Sequence, residues 1–250
     1  MFIFAHRGLL HKYPENSLPA LSIALKTGFC LETDLRLTRN GDFIVMHDET
    51  FTRLNKDSTP VSSLTLKECV SRTYKDSAAK FVSFLTVIQE IKKYKKRLHA
   101  IHLKSDSQTN DGLKILARYW KEYDLYHNAF VFDLTQEAAA KLKRIDKSIK
   151  IACTVSENKF APTVYLWSEV KHNRNFDFVW AAEYRKLYSS SFIREVRKHK
   201  EKVFAVSPDV HRTLDHPLAR SGFESTWKHL IDWGIDGICT DEPIKLQSYL

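Results

Sequence analysis

The chain has 250 residues, 43% of them hydrophobic and 28% charged, a balance suited to one sizeable core, and residues 1–250 are expected to form a single soluble domain. Thirty-nine Lys and Arg against thirty Asp and Glu give a formal charge of +9, which favours anionic ligands. No apolar stretch approaches the ~20 residues of a membrane span, and no interleaved aromatic ladder or recognition helix supports nucleic acid as a specific partner.

Short apolar strands alternate with amphipathic segments from one end to the other. Phe2–His6 is β-prone from the second residue, so no signal sequence is expected ahead of the fold, and the cytoplasm is the default location. Ser17–Lys26 carries Leu18, Leu21, Ala24 and Leu25 at helical spacing and closes at Gly28. Cys30–Leu35 predicts the second strand and Phe43–His47 an extra one. Residues 48–80 are polar and predict an inserted capping loop. Next come a helix over Leu85–Tyr94, a strand over His99–Leu103, a helix over Leu113–Tyr123 and a strand over Ala129–Leu134. A helix over Gln136–Ile145 precedes a strand at Lys150–Val155, and Val164–His172 is expected to be helical. Phe176–Trp180, Lys202–Val206 and Gly237–Thr240 complete the strands, separated by helices at Ser191–His199 and Glu224–Trp233. Cys30, Cys69, Cys153 and Cys239 form no C-x-x-C pair and are expected to be buried free thiols. The run Lys92, Lys93, Lys95, Lys96, Arg97 suits the negative end of a helix dipole.

Eight strands joined by helical crossovers predict an α/β fold, a single (β/α)8 TIM-type barrel with a β-hairpin extension and an inserted loop after the second strand. An open doubly wound sheet is the alternative, and no glycine-rich phosphate fingerprint follows the first strand to favour it. Between Leu37 and Phe43 there is no room for a crossover, so the extra strand must return antiparallel. With Asn40-Gly41 as a two-residue turn, Asp34 would face His47 across that hairpin.

A barrel works at the carboxyl ends of its strands. There lie His6 and Arg7 on the first strand, Glu32 and Asp34 on the second, and His102 and Lys104 on the third, with His47 arriving on the hairpin. Glu32 and Asp34 are two residues apart and leave one face of a strand, where paired carboxylates call for a cation between them. A salt-bridge rim with Arg7 and Arg36 is the structural alternative. Imidazoles titrate near neutral pH and suit acid–base work, whereas Arg7 and Lys104 suit a phosphate.

The set His6-Arg7-Gly8, Pro14-Glu15-Asn16-Ser17, Glu32-x-Asp34, Thr38-x-x-Gly41 and His47-Asp48 resembles the glycerophosphodiester phosphodiesterase family. Weaker similarity continues to Gly234-Ile235-Asp236-Gly237-x-x-Thr240-Asp241-x-Pro243. The resemblance implies a divalent cation, Mg²⁺, Ca²⁺ or Mn²⁺, and hydrolysis of a small anionic phosphodiester to a phosphomonoester and an alcohol. It implies His6 and His47 as the acid–base pair and Arg7 on the phosphate. It also implies Glu32 and Asp34 as metal ligands, with Glu15 and Lys104 helping to bind substrate. In this family a neighbouring substrate hydroxyl attacks phosphorus and water then opens the cyclic product.

Two departures stand out. The family's third acidic ligand, in a Glu-x-Lys pattern, is replaced by His102 ahead of Lys104, so His102 is the candidate third ligand, and imidazole favours softer ions than Ca²⁺ or Mg²⁺. The stretch after the seventh strand, Ser207-Pro208-Asp209-Val210-His211-Arg212, lacks the family's aromatic and implies a different leaving group or head group. A weakened or non-catalytic member that only binds metal or phosphate is one alternative. A relative acting on an anionic lipid or glycan is another.

Overall fold

The computed structural model describes residues 1–94, 97–214 and 216–250. Eight parallel strands are β1 (Phe2–His6), β2 (Cys30–Leu37), β3 (His99–Leu103), β4 (Ala129–Phe132), β5 (Ile151–Val155), β6 (Phe178–Ala182), β7 (Lys202–Val206) and β8 (Gly237–Thr240). Each pairs with the next, and β1 pairs with both β2 and β8, which closes the barrel and excludes the open sheet. The period of two along each strand separates two apolar layers. Phe4, Phe130, Phe178, Trp180 and Phe204 fill the interior, with Phe130 and Phe204 stacked at 5.1 Å. Ile3, Ala5, Val179, Val203 and Ala205 face the surrounding helices.

Helix boundaries follow local chemistry. Leu18–Thr27 starts at Ser17, whose side chain accepts from Ala20 N, and stops at Gly28 with φ 111°. Thr109 and Thr135 cap Asn110–Tyr123 and Gln136–Ile145 in the same way. All four cysteines are buried and free. No helix among the described residues is long and apolar enough to cross a membrane.

Three expectations need correction. The hairpin pairs Leu35 with Val45 and Leu37 with Phe43, so Asp34 lies opposite Met46 and not His47. The turn is a three-residue loop, Arg39-Asn40-Gly41, with Thr38 N donating to Asp42 O at 2.8 Å and Gly41 at φ 76°. Contacts with the following segment hold it: Arg39 N donates to Leu64 O at 2.8 Å, and Leu66 N donates to Asn40 Oδ1 at 2.9 Å. Secondly, Val164–His172 is not one helix. Val164 and Tyr165 are buried and extend the sheet beside Thr154 and Val155, which leaves a single helical turn at Trp167–Val170.

Thirdly, residues 48–80 are more than a loop. They contain the paired strands Thr50–Phe51 and Asp57–Pro60 and short helices at Thr52–Asn55 and Leu66–Val70. Phe51, Val61, Cys69 and Tyr74 from this segment pack with Ile44, Met46 and Phe81 into a small core of their own. In the basic run, Lys95 and Lys96 lie outside the described residues. Lys93 pairs with Glu90, Lys92 donates to Tyr123 O at 2.9 Å, and Arg97 reaches Leu25 O and Phe29 O. These three cations satisfy their own surroundings, as a solvated helix end does.

Candidate active site

The carboxyl end of β1 turns sharply. Arg7 and Gly8 both take positive φ, 56° and 93°, and a Cβ on Gly8 would stand 2.7 Å from the carbonyl carbon of Ala20. Only glycine allows the following helix to approach this closely. The turn aims Arg7 across the mouth, where its backbone N–H reaches Glu32 O at 3.0 Å and Glu32 Oε2 at 3.2 Å. Its guanidinium donates to Glu15 Oε1 at 3.0 Å and places Nε 3.3 Å from Asp34 Oδ2. Asn16, also at positive φ, donates to Asp34 Oδ2 at 2.9 Å and accepts from Thr33 Oγ1 at 2.7 Å.

Parallel register sets His102 on β3 beside Asp34 on β2. His102 Nδ1 lies 3.0 Å from Asp34 Oδ1, its Nε2 lies 2.9 Å from Asp133 Oδ2, and Lys104 Nζ lies 2.9 Å from Asp34 Oδ1. Glu32, Asp34 and His102 each offer a ligand atom, all within 4.8 Å of one another. Two oxygen donors and one imidazole nitrogen at this spacing fit a divalent cation. His6 stands on the neighbouring strand, with Nδ1 donating to Asp241 Oδ1 at 2.7 Å and Nε2 4.0 Å from Glu32 Oε2. His47, carried past the hairpin, donates from Nδ1 to Asp48 Oδ1 at 2.7 Å, while Arg36 fixes its carbonyl with two hydrogen bonds. In both histidines the carboxylate contact fixes Nδ1 as the donor nitrogen of the ring.

These groups do not titrate alike. Burial and the adjacent Asp34 charge raise the Glu32 carboxyl above its ordinary value. Burial opposes ionisation of Asp34, but Lys104, Arg7 and His102 outweigh it and hold it well below the carboxylate range. Burial and Arg7 act to lower His6, and the carboxylates of Asp241 and Glu32 carry it above its ordinary value. Burial keeps His47 below its ordinary value despite Asp48. Burial and Lys104 act to lower His102, and Asp133 and Asp34 raise it overall. Burial opposes ionisation of Asp133, yet His102 and the nearby threonines bring it down to about 2.

A cavity of about 350 Å³ opens here. His6, Arg7, Glu32, Asp34, His47 and His102 line it together with the rings of Phe132, Trp180, Tyr184, Phe160 and His211. Six of the eight residues singled out from the sequence therefore line one cavity. Glu15 and Lys104 stand behind it as partners of Arg7 and Asp34. Sequence reasoning missed Asp133 and Asp241 as site residues. Each directly follows a barrel strand at its carboxyl end, which was the available signal.

The sequence comparisons give this arrangement its class, the phosphoric diester hydrolases. The sequence model of the glycerophosphoryl diester phosphodiesterase family matches residues 6–245, and the chain belongs to that family. A glycerophosphodiester phosphodiesterase from Caldanaerobacter subterraneus is 24% identical over 255 residues, covering 98% of this chain and 95% of that protein. A relative from Mycobacterium tuberculosis is 40% identical over 68 residues, a stretch spanning 27% of this chain and 25% of that protein. Among solved structures, an Oleispira antarctica phosphodiesterase in complex with the product sn-glycerol-3-phosphate superposes with a TM-score of 0.75 at 18% identity, covering 99% of this chain and 96% of that one. The glycerophosphodiester phosphodiesterase of Thermotoga maritima gives 0.73 at 20% identity, covering 100% and 99%. Both have the same barrel fold.

Proposed function

We propose that this chain hydrolyses a glycerophosphodiester to a phosphomonoester and an alcohol, assisted by a divalent cation at Glu32, Asp34 and His102. The observation that carries the reading is the shared cavity: two histidines and an arginine line it together with a buried carboxylate pair at the barrel mouth. Arg7, anchored by Glu15 and Asp34, binds the phosphate through the outer edge of its guanidinium. His47, kept neutral by burial, takes the proton from a glycerol hydroxyl through Nε2 as that oxygen attacks phosphorus. The bond to the departing alcohol breaks, and His6, held by Asp241, supplies the proton that the alkoxide needs. Water then attacks the cyclic phosphate with the two histidines in exchanged roles. When bound, the cation neutralises charge on the phosphoryl oxygens.

Residues 48–80 act as a cap of the same domain in this reading, because Arg53 reaches back to Glu15 with two bonds of 2.7 Å. Four buried, unpaired cysteines suit a reducing compartment such as the cytoplasm. The test is release of phosphomonoester from a panel of glycerophosphodiesters with Mg²⁺, Ca²⁺ or Mn²⁺. His6→Ala should lower turnover by about 10²- to 10⁴-fold, the usual worth of a general acid. If no diester with any of these ions is turned over faster by the wild type than by His6→Ala, the proposal fails.

A further inference from the structure

His102 faces a different carboxylate from each of its ring nitrogens. On the Nε2 side, Asp133 Oδ2 lies 2.9 Å away and also accepts from Thr163 Oγ1 at 3.0 Å. A carboxylate oxygen can only accept, so the contact places a proton on Nε2. On the other side, Nδ1 lies 3.0 Å from Asp34 Oδ1 and 3.2 Å from Lys104 Nζ, and the residue forms one donor cluster with Glu32 and Asp34. Asp133 itself is held firmly. Its backbone takes φ 64°, its carbonyl accepts from Gln108 Nε2 at 2.8 Å, and the Phe132 ring lies 4.8 Å from the imidazole. A carboxylate that holds one nitrogen of a ligating histidine fixes its tautomer and raises the basicity of the other. A glutamate at position 102 would instead meet Asp133 charge to charge, so Asp133 suits a histidine there and opposes the acid.

We infer that Asp133 is a positioning residue that makes His102 Nδ1 a metal donor, so that the site favours nitrogen-accepting ions such as Mn²⁺ or Co²⁺ over Mg²⁺ and Ca²⁺. The inference rests on the metal-assisted reading proposed above. It adds a carboxylate to the site that neither the strand pattern nor the motif set supplied.

The experiment titrates the purified full-length chain, stripped with chelator, with Co²⁺ read by visible absorption and Mn²⁺ read by electron paramagnetic resonance. Mg²⁺ is measured by competition against Mn²⁺. Asp133→Ala should weaken Mn²⁺ and Co²⁺ by about 10- to 100-fold, the usual effect of losing such a partner. Asp133→Asn, which keeps an acceptor oxygen, should fall between it and the wild type. Mg²⁺ affinity should change less than about threefold, and thermal midpoints should hold. The Co²⁺ bands should shift in His102→Gln. If both Asp133 variants retain Mn²⁺ affinity within about twofold, or lose Mg²⁺ and Mn²⁺ equally, the role of Asp133 is overturned while the metal site stands. If the wild type binds none of these ions, or Glu32→Gln binds them as well as the wild type, the metal-assisted reading falls and this inference with it.

Discussion

Protonation of His99 should destabilise the barrel directly beneath the site. His99 is fully buried at the start of β3, and its Nδ1 accepts the backbone N–H of Leu31 at 2.9 Å, one residue before Glu32. Burial and the nearby Arg97 push its imidazole from the ordinary 6.5 down to about 3. The folded chain therefore binds fewer protons here than the unfolded chain. Stability is complete above pH 6.5 and is lost as pH falls from 6.5 toward 3. The whole shift of about 3.5 pH units corresponds to roughly 5 kcal/mol, and about 2 kcal/mol of it is gone by about pH 5. Urea unfolding near pH 7.5 and pH 5 gives this difference for the wild type. In His99→Asn, the amide oxygen can take the Leu31 N–H without titrating, so about 2 kcal/mol of the acid loss should disappear. If both proteins lose the same stability between the two pH values, within about 0.5 kcal/mol, the burial argument is wrong.

Opposite shifts on the two catalytic candidates predict a bell-shaped profile of kcat/KM against pH. Its rising limb should lie below 6.5, where His47 deprotonates, and its falling limb above 6.5, where His6 does; His6→Ala should lack the falling limb. Arg53→Ala removes the fork on Glu15 and the bond to Asp48, so kcat/KM should drop about 10-fold through a loosened Arg7 and His47. Arg53 is half exposed, so the same variant should cost less than about 1 kcal/mol in unfolding experiments. Gly8→Ala combines a positive φ with a clash against Ala20, and thermal unfolding should show a loss of about 3 kcal/mol.

Much of the site was legible in the residues because its logic is local. Glu32 and Asp34 leave one strand face whatever the rest of the chain does, and Ser17 and Gly28 mark the ends of one helix by their own side-chain and backbone chemistry. The eight strands follow from apolar runs separated by helical spacing, and a closed parallel barrel gives all their carboxyl ends one address. The hairpin departs from its local signal for the opposite reason. Asn40-Gly41 favours a two-residue turn by itself, but Leu64 and Leu66 bond to Arg39 and Asn40 and hold the wider loop. Those partners lie more than twenty residues away, beyond any local propensity.

The sequence by itself determined the strand order, the paired carboxylates, the two histidines and the arginine that line the cavity. Tertiary structure decided how each is held. Asp241 is 235 residues from His6, and Asp133 is 31 residues from His102, yet each sets the charge and tautomer of its imidazole. Residue type and spacing carry the donors of a site because strand periodicity is local. Their protonation depends on whichever charge the barrel's closure brings within 3 Å.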